Sequence, residues 1–478
     1  MMNWSKFFEY EKTLSSEKKK SYGIVYTPHE VVDQINKEVL SRWNKTYPPR
    51  VVDRSCGTGI FLWDMAHKIA AHWKLSLEEV IEKNIYGCDI DEDAIKVAKE
   101  IFGTNSNFSV QSGLEFDHTL ADCDIGNPPY VRIQNLDEST RKKVGEFSWC
   151  GGSTDLYIAF LQSGFINYET CGYVAPNSWL KNKAGKQMRQ DVYESKRLNW
   201  IRDWGDKKIF KGVSAYCASI VFSEQNERYE LNSESLRWSN RSESNFFYSE
   251  KQKLFLDEVA KRNTRLLDIC DVRIGLATLA DSIFFLPNGQ VKGDKWVTDF
   301  IAVEFDVTKP CVKASKKSIG GRIIYPYDKN GKLINELTFK NKYPLAYKYL
   351  LGHKDKLLSR DKGKIDNNKW FSYGRKQGVY GAKEKLLLAP FQKESTIIGA
   401  DHNALWISGY GIFPKNGASI EGLKDIFTSD EMERWYKIKG KPLSSGWRGV
   451  NKDTLSEYRI NTSVCIGEEL DKWYVCVV

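Results

Sequence analysis

The 478 residues contain no C-x-x-C pair and no cysteine beside a histidine at metal-ligand spacing; the ten cysteines stand singly and the six histidines are scattered. That usage argues against a metal site and against a disulfide framework, and reads as free thiols in a reducing compartment. No apolar run approaches the ~18 residues of a membrane span. The opening MMNWSKFFEYEKTLSSEKKK lacks the apolar core of a signal peptide, so a cytoplasmic location is expected. No fixed-period repeat and no low-complexity linker is visible. With 41% hydrophobic and 28% charged residues the chain is neither collagenous nor mainly disordered, and its length calls for more than one core.

Charge is unevenly placed. Residues 1–240 hold 31 Lys and Arg against 33 Asp and Glu, whereas 241–478 hold 40 against 29, so the second part carries +11. An excess of this size fits a polyanion partner for the C-terminal half, although a solvated basic surface explains it as well on charge alone.

From Arg50 to about Phe222, apolar strand-like runs (RVVDRS, IYGCDID, CDIGNPPY, GYVAPNSW, CASIVF) alternate with helical stretches such as FLWDMAHKIAAHW and EDAIKVAKEIF. This alternation predicts an α/β, doubly wound sheet. Ser223 to about Glu250 is polar and reads as a connection. The pattern therefore divides the chain into domains at 1–235 and 250–478, the second with short aromatic strands and few clear helices.

Val51 to Phe61 reads as a strand ending in Asp53, a tight turn through Gly57 and Gly59, and a helix. The two glycines let backbone approach a ligand at the carboxyl end of the sheet. A dinucleotide fingerprint needs a third glycine, and Leu62 stands there. An acid at the strand end repels phosphate and suits an ammonium or sulfonium group, which favours a cationic nucleoside. Asp89 ends the next predicted strand, placed to accept ribose hydroxyls, while Asp91 suits a helix N-cap.

Asn127-Pro128-Pro129-Tyr130 is the strongest signal in the chain. Two prolines fix φ twice and hold Asn127 extended in a rigid loop. The Asn127 side-chain oxygen and the Pro128 carbonyl suit acceptance of both hydrogens of an exocyclic ring amine. That would localise its lone pair without a titrating base. Tyr130 offers a ring face for a planar base.

At these residues the chain resembles the gamma-class amino-methyltransferases of DNA, the TaqI-like N6-adenine enzymes of restriction-modification systems. Tyr26 to Val32 is similar to their N-terminal motif, where Thr27 would help hold the methionine moiety of S-adenosylmethionine. Asp53, Cys56, Gly57 and Gly59 fall in the family's glycine motif, and Asp89 at its ribose acid. Asp155-Leu156-Tyr157, Gly172 to Pro176 and Lys208 to Ser214 resemble later motifs, the last of which would place Phe210 against an extruded base. Two positions depart from the pattern. Arg54 replaces a proline, a change expected to alter only turn stiffness, and Ser112 or Gly113 stands where an acid usually meets the adenine ring, leaving Ser112 as candidate.

The resemblance continues from Lys251 onward as a target-recognition domain of α+β type, through Val272 to Thr278, Ser282 to Leu286, and Trp370 to Gly378 followed by Lys385 to Leu388. Arg375, Lys376 and Gln377 are its candidate base-reading residues, with phosphate contact the alternative. The cluster Ser315 to Ser318 reads as a solvated turn with a phosphate role as its alternative. The resemblance thus implies a Rossmann-like S-adenosylmethionine-dependent methyltransferase that flips adenine out of duplex DNA. It also implies a monomer whose partner endonuclease acts separately. A methyltransferase of an RNA base, a protein glutamine or cytosine N4 is the alternative, and an inert DNA-binding subunit or a fused endonuclease are lesser ones.

Overall fold

In the computed structural model residues 5–476 are described, except 16, 20–22, 24, 26, 104–105, 152–153, 211–214, 315–318, 376–382, 401–402, 462 and 465–474. The chain forms two compact units, Met1–Lys253 and Leu254–Val478.

The first unit is built on strands β1 (Val51–Asp53), β2 (Ile85–Asp89), β3 (Asn107–Val110), β4 (Cys123–Gly126), β5 (Thr170–Pro176), β6 (Leu198–Asp203), β7 (Cys217–Phe222), β8 (Arg228–Leu231) and β9 (Glu234–Arg237). They form one sheet in the order β3-β2-β1-β4-β5-β7-β6-β8-β9. β1 to β5 pair in parallel, and β7 runs antiparallel between β5 and β6. β5 and β7 are buried along their whole length, as strands covered on both faces must be, which is why their sequences read as continuous apolar runs.

Helices follow from equally local causes. His29–Leu40 buries Val31, Val32, Ile35 and Val39 at helical spacing, and Ile60–Trp73 buries Phe61, Leu62, Met65 and Ile69; these stripes share one core with Val51 and Ile85. Asp91 caps Glu92–Phe102 by accepting the Asp93 N–H at 3.2 Å, and Gly103 closes the helix at φ 94°. The turn before Ile60–Trp73 requires Gly59: its φ is +91°, and a Cβ there would lie 2.7 Å from the Phe102 ring.

The stretch read as a connection, Ser223 to Glu250, is instead part of this unit. β8 pairs in parallel with β6 and forms a hairpin with β9. Trp238, Phe246, Phe247 and Tyr248 are buried beyond it, with Trp238 and Tyr229 ring centroids 4.3 Å apart. Arg241 is buried too, donating to the Tyr248 carbonyl at 2.9 Å and pairing with Glu250. Edge strands bury only one face, so isolated aromatic residues among polar ones carry the packing, and average polarity misreads them.

The second unit holds two four-stranded sheets. One joins Cys270–Ile274, Tyr410–Pro414, Lys385–Leu388 and Ile398–Ala400; the other joins Phe285–Pro287, Ile319–Ile324, Thr308–Lys313 and Leu405–Ile407. Short helices, among them Glu336–Lys342 and Pro344–Leu351, pack beside the second sheet on a core of Phe284, Phe339, Leu350, Trp370 and Phe371. Among the described residues no helix is long and apolar enough to cross a membrane.

Trp238→Ala should destabilise the first unit by ~3–5 kcal/mol, the cost of emptying a buried aromatic site. Urea unfolding monitored for that unit checks this; an unchanged midpoint would return 223–250 to the status of a linker.

Candidate cofactor and target-base site

A cavity of about 390 Å³ opens at the carboxyl ends of β1, β2 and β4. Thr27, Asp53, Cys56, Gly57, Asp89, Ser112, Asn127 and Pro129 all line it, which brings together residues scattered over a hundred positions. Gly59, Pro128 and Tyr130 do not line it. Gly59 serves the turn, and Tyr130 packs edge-on to Tyr157 and Phe210, at centroid distances of 6.1 and 6.3 Å. The Tyr130 hydroxyl donates to the Val174 carbonyl at 3.3 Å, so this ring is fixed.

Asp53 ends β1 and is 2% exposed. It accepts the Ser55 N–H at 3.0 Å, and among the described residues none forms an ion pair with it. Burial pushes its carboxyl well above the usual range, with only the Ser55 N–H and more distant charges opposing or adding. Gly126 makes the close approach possible: its φ is +145°, and a Cβ there would stand 2.5 Å from Asp53 Oδ1. Asp89 accepts the N–H groups of Gly57 and Asp91 at 2.8 and 2.9 Å, and burial raises its carboxyl as well. Two desolvated acids facing one cavity are stabilised by a ligand bringing positive charge and hydroxyl donors.

Asn127 is oriented by the segment before the first large helix. Its Nδ2 donates to the Val25 carbonyl at 3.0 Å and to Thr27 Oγ1 at 3.1 Å. A carbonyl only accepts, so the amide nitrogen is fixed on that side and the oxygen on the other. That oxygen, Asn127 Oδ1, is buried and has no hydrogen-bond partner among the described residues. Thr27 therefore positions Asn127 as well as lining the cavity.

Other candidates fare differently. The Cys56 thiol is held well above its usual range by burial, which makes it a packing group; its N–H donates to the Cys88 carbonyl at 3.0 Å. The Ser112 carbonyl accepts the Glu115 N–H at 2.9 Å and Gly113 lies against the Arg54 carbonyl, 2.0 Å from where a Cβ would be, so the turn there is dictated by sterics. Arg375, in the second unit, is exposed and its N–H donates to the Ala277 carbonyl at 3.1 Å. Lys376, Gln377 and the Ser315 to Ser318 cluster lie outside the described residues.

Arg54 needs correction. It is not merely a stiffer or looser turn residue: it is 3% exposed and its guanidinium binds Asp124 of β4, with Nη2 to Oδ2 at 2.6 Å. Tyr10 was not visible as a site residue. It lines the cavity from the helix Ser5–Thr13, and its hydroxyl donates to Asp91 at 2.7 Å beside Lys18, whose Nζ lies 2.9 Å from the same carboxylate. No spacing links residue 10 to residue 91, so only the fold reveals it.

The donor set fits S-adenosylmethionine: Asp53 and Asp89 suit its ammonium and ribose hydroxyls, and the glycine turn leaves room for the close approach of backbone. Asp89→Ala should weaken its binding by ~1.5–3 kcal/mol, the range for hydrogen bonds to a charged group. Titration calorimetry checks this, and unchanged affinity would remove Asp89 from the ribose position.

Comparison with known proteins agrees with the geometry. Residues 104–210, which span β4 and the Asn127 loop, match the family model described as Eco57I restriction-modification methylase. The chain is 22% identical over 545 aligned positions to the Type II restriction enzyme and methyltransferase RM.Eco57I of Escherichia coli, covering 87% of this chain and 54% of that protein. It is 26% identical to the Type II methyltransferase M.BanIII of Aneurinibacillus aneurinilyticus, covering 83% and 82%. The chain thus spans about half the length of the first relative and most of the second. Its fold is that of the Type IIL restriction-modification enzyme MmeI, solved with DNA, at a TM-score of 0.64 and 12% identity over 95% of this chain and 70% of that one. The methyl donor that goes with this family and this pocket is S-adenosylmethionine. Residues 104–210 thus match the Eco57I restriction-modification methylase model, and the chain that carries them is similar to Type II methyltransferases.

Proposed function

We propose that the chain is a site-specific DNA adenine-N6 methyltransferase, acting on an adenine flipped out of duplex DNA as the modification enzyme of a restriction-modification system. The observation that carries this reading is Asn127 Oδ1, buried and without a hydrogen-bond partner among the described residues, at the loop where donor and target would meet.

When bound, S-adenosylmethionine supplies an electrophilic methyl group on a sulfonium. Asp53, Asp89 and the Gly57 turn bind and orient that ligand. Asn127 Oδ1 and the Pro128 carbonyl accept the two N–H groups of the target amine, drawing its lone pair out of the ring and toward the methyl group. The paired prolines hold these acceptors in place before the base arrives, so no reorganisation is needed during transfer. Tyr130, braced by its hydroxyl, stacks on the base, and Phe210 closes the aromatic wall beside it. No titrating base is needed before transfer; the proton leaves afterwards to water.

The unit Leu254–Val478 is assigned to target recognition, and the first unit, through Lys253, to catalysis. Supporting this are the +11 charge beyond residue 240, the exposed Arg375, and a fold shared with an enzyme solved on DNA. We further assign the protein to the cytoplasm as a monomer, served by an endonuclease on a separate chain.

Asn127→Ala should lower the single-turnover methyl-transfer rate on cognate duplex by at least ~100-fold, the scale of deleting one preorganised polar contact at a reacting centre. S-adenosylmethionine should still bind. A rate equal to the wild-type protein would reject the role of Asn127.

A further inference from the structure

Arg54 follows Asp53 directly, and every N–H of its guanidinium finds an acceptor. Nε and Nη2 donate to Asp124 Oδ2 at 2.9 and 2.6 Å, Nη2 also to the Phe160 carbonyl at 2.8 Å, and Nη1 to the Gly113 carbonyl at 3.3 Å and Ser163 Oγ at 2.9 Å. The Tyr173 hydroxyl, from β5, donates to the same Asp124 oxygen. The guanidinium also lies 5.2 Å from the Phe160 ring centroid and 5.5 Å from that of Tyr168. Only arginine has five donors in a planar fork; lysine has three on one atom.

The acceptors belong to the segments that build the site. Asp124 stands three residues before Asn127, Gly113 adjoins Ser112, and Phe160 lines the cavity from the helix Tyr157–Asn167. Asp53 itself is the preceding residue of β1. The ion pair is 2% and 1% exposed at its two side chains, and such pairs contribute little net stability once desolvation is counted. What a five-bonded guanidinium does supply is fixed relative geometry.

We propose that Arg54 is a positioning residue that, through Asp124, sets the cofactor-facing Asp53 and the amine-facing Asn127 in register with one another. This rests on the methyltransferase reading above. Arg54 borders the cavity, but its guanidinium N–H groups are all taken by protein acceptors, so in this role it acts through them. It locks together the strand ends that carry Asp53 and Asn127, and small displacements of reacting groups cost transfer rate steeply.

The test compares the full-length wild-type chain with Arg54→Met/Asp124→Leu, in which apolar side chains replace the whole pair and leave no buried charge unpaired. Near-UV circular dichroism verifies packing, calorimetry reads S-adenosylmethionine affinity, and single-turnover assays at saturating cofactor and DNA read transfer. The positioning role predicts affinity lower by about fivefold or more and transfer slower by about 10- to 100-fold, with the packing signal retained. Affinity and rate both within about twofold of wild type, with only the melting temperature moved, would overturn it. Arg54→Lys keeps the charge and loses the fork, so it should fall between the two proteins. It decides the matter by the same readouts if the double variant does not fold, and wild-type behaviour in it would equally overturn the proposal. If the wild-type chain itself methylates no DNA, the functional reading fails while the affinity measurement still decides the role of Arg54.

Discussion

β1 and β4 are parallel, hydrogen-bonded neighbours, Val51 opposite Cys123 and Val52 opposite Asp124, and the site depends on that pairing. β2 lies on the far side of β1 and β5 on the far side of β4, so the chain leaves these two strand ends in opposite directions. The crevice so formed is where open α/β sheets bind ligands. Asp53 and Asn127 emerge at its two lips, close enough that residue 126 has no room for a side chain. The residues proposed to bind the methyl donor and those proposed to receive the target thereby line one cavity.

The electrostatics follow from the same closeness. Asp53 and Asp124 are fully buried and Asp89 partly so, and burial raises each carboxyl. Asp124 is the one that meets a guanidinium, and the desolvation it suffers is countered there by the Arg54 charge and hydrogen bonds. The other two line the cavity, in the position proposed above for an ammonium group and ribose hydroxyls. The three acids thus separate into one paired within the scaffold and two that line the cavity.

Most of the first unit was legible because its signals are local. Gly57, Asp89 and the Asn127 to Tyr130 loop each combine a strand end with a residue type the backbone or the chemistry needs, and the cavity gathers Gly57, Asp89, Asn127 and Pro129. What stayed hidden is non-local. The part played by Arg54 depends on Asp124, 70 positions away, and that of Tyr10 on Asp91. The 223–250 segment misled because single aromatic residues, Tyr229 and Trp238 among them, outweigh their polar neighbours once buried. Gly59 reads in the sequence as a glycine that lets backbone approach a ligand, and the structure adds a second demand for it, its left-handed φ and the nearby Phe102 ring.

In the proposed reaction an amide oxygen and a proline carbonyl activate an adenine amine in a defined DNA sequence. Single-molecule sequencing of DNA from a methylation-free host expressing the chain reads base and sequence context together. N6-methyladenine confined to one short motif and lost with Asn127→Ala is the expected result. Methylation at cytosine N4, or unmodified DNA in cells containing folded protein that binds S-adenosylmethionine, would contradict it.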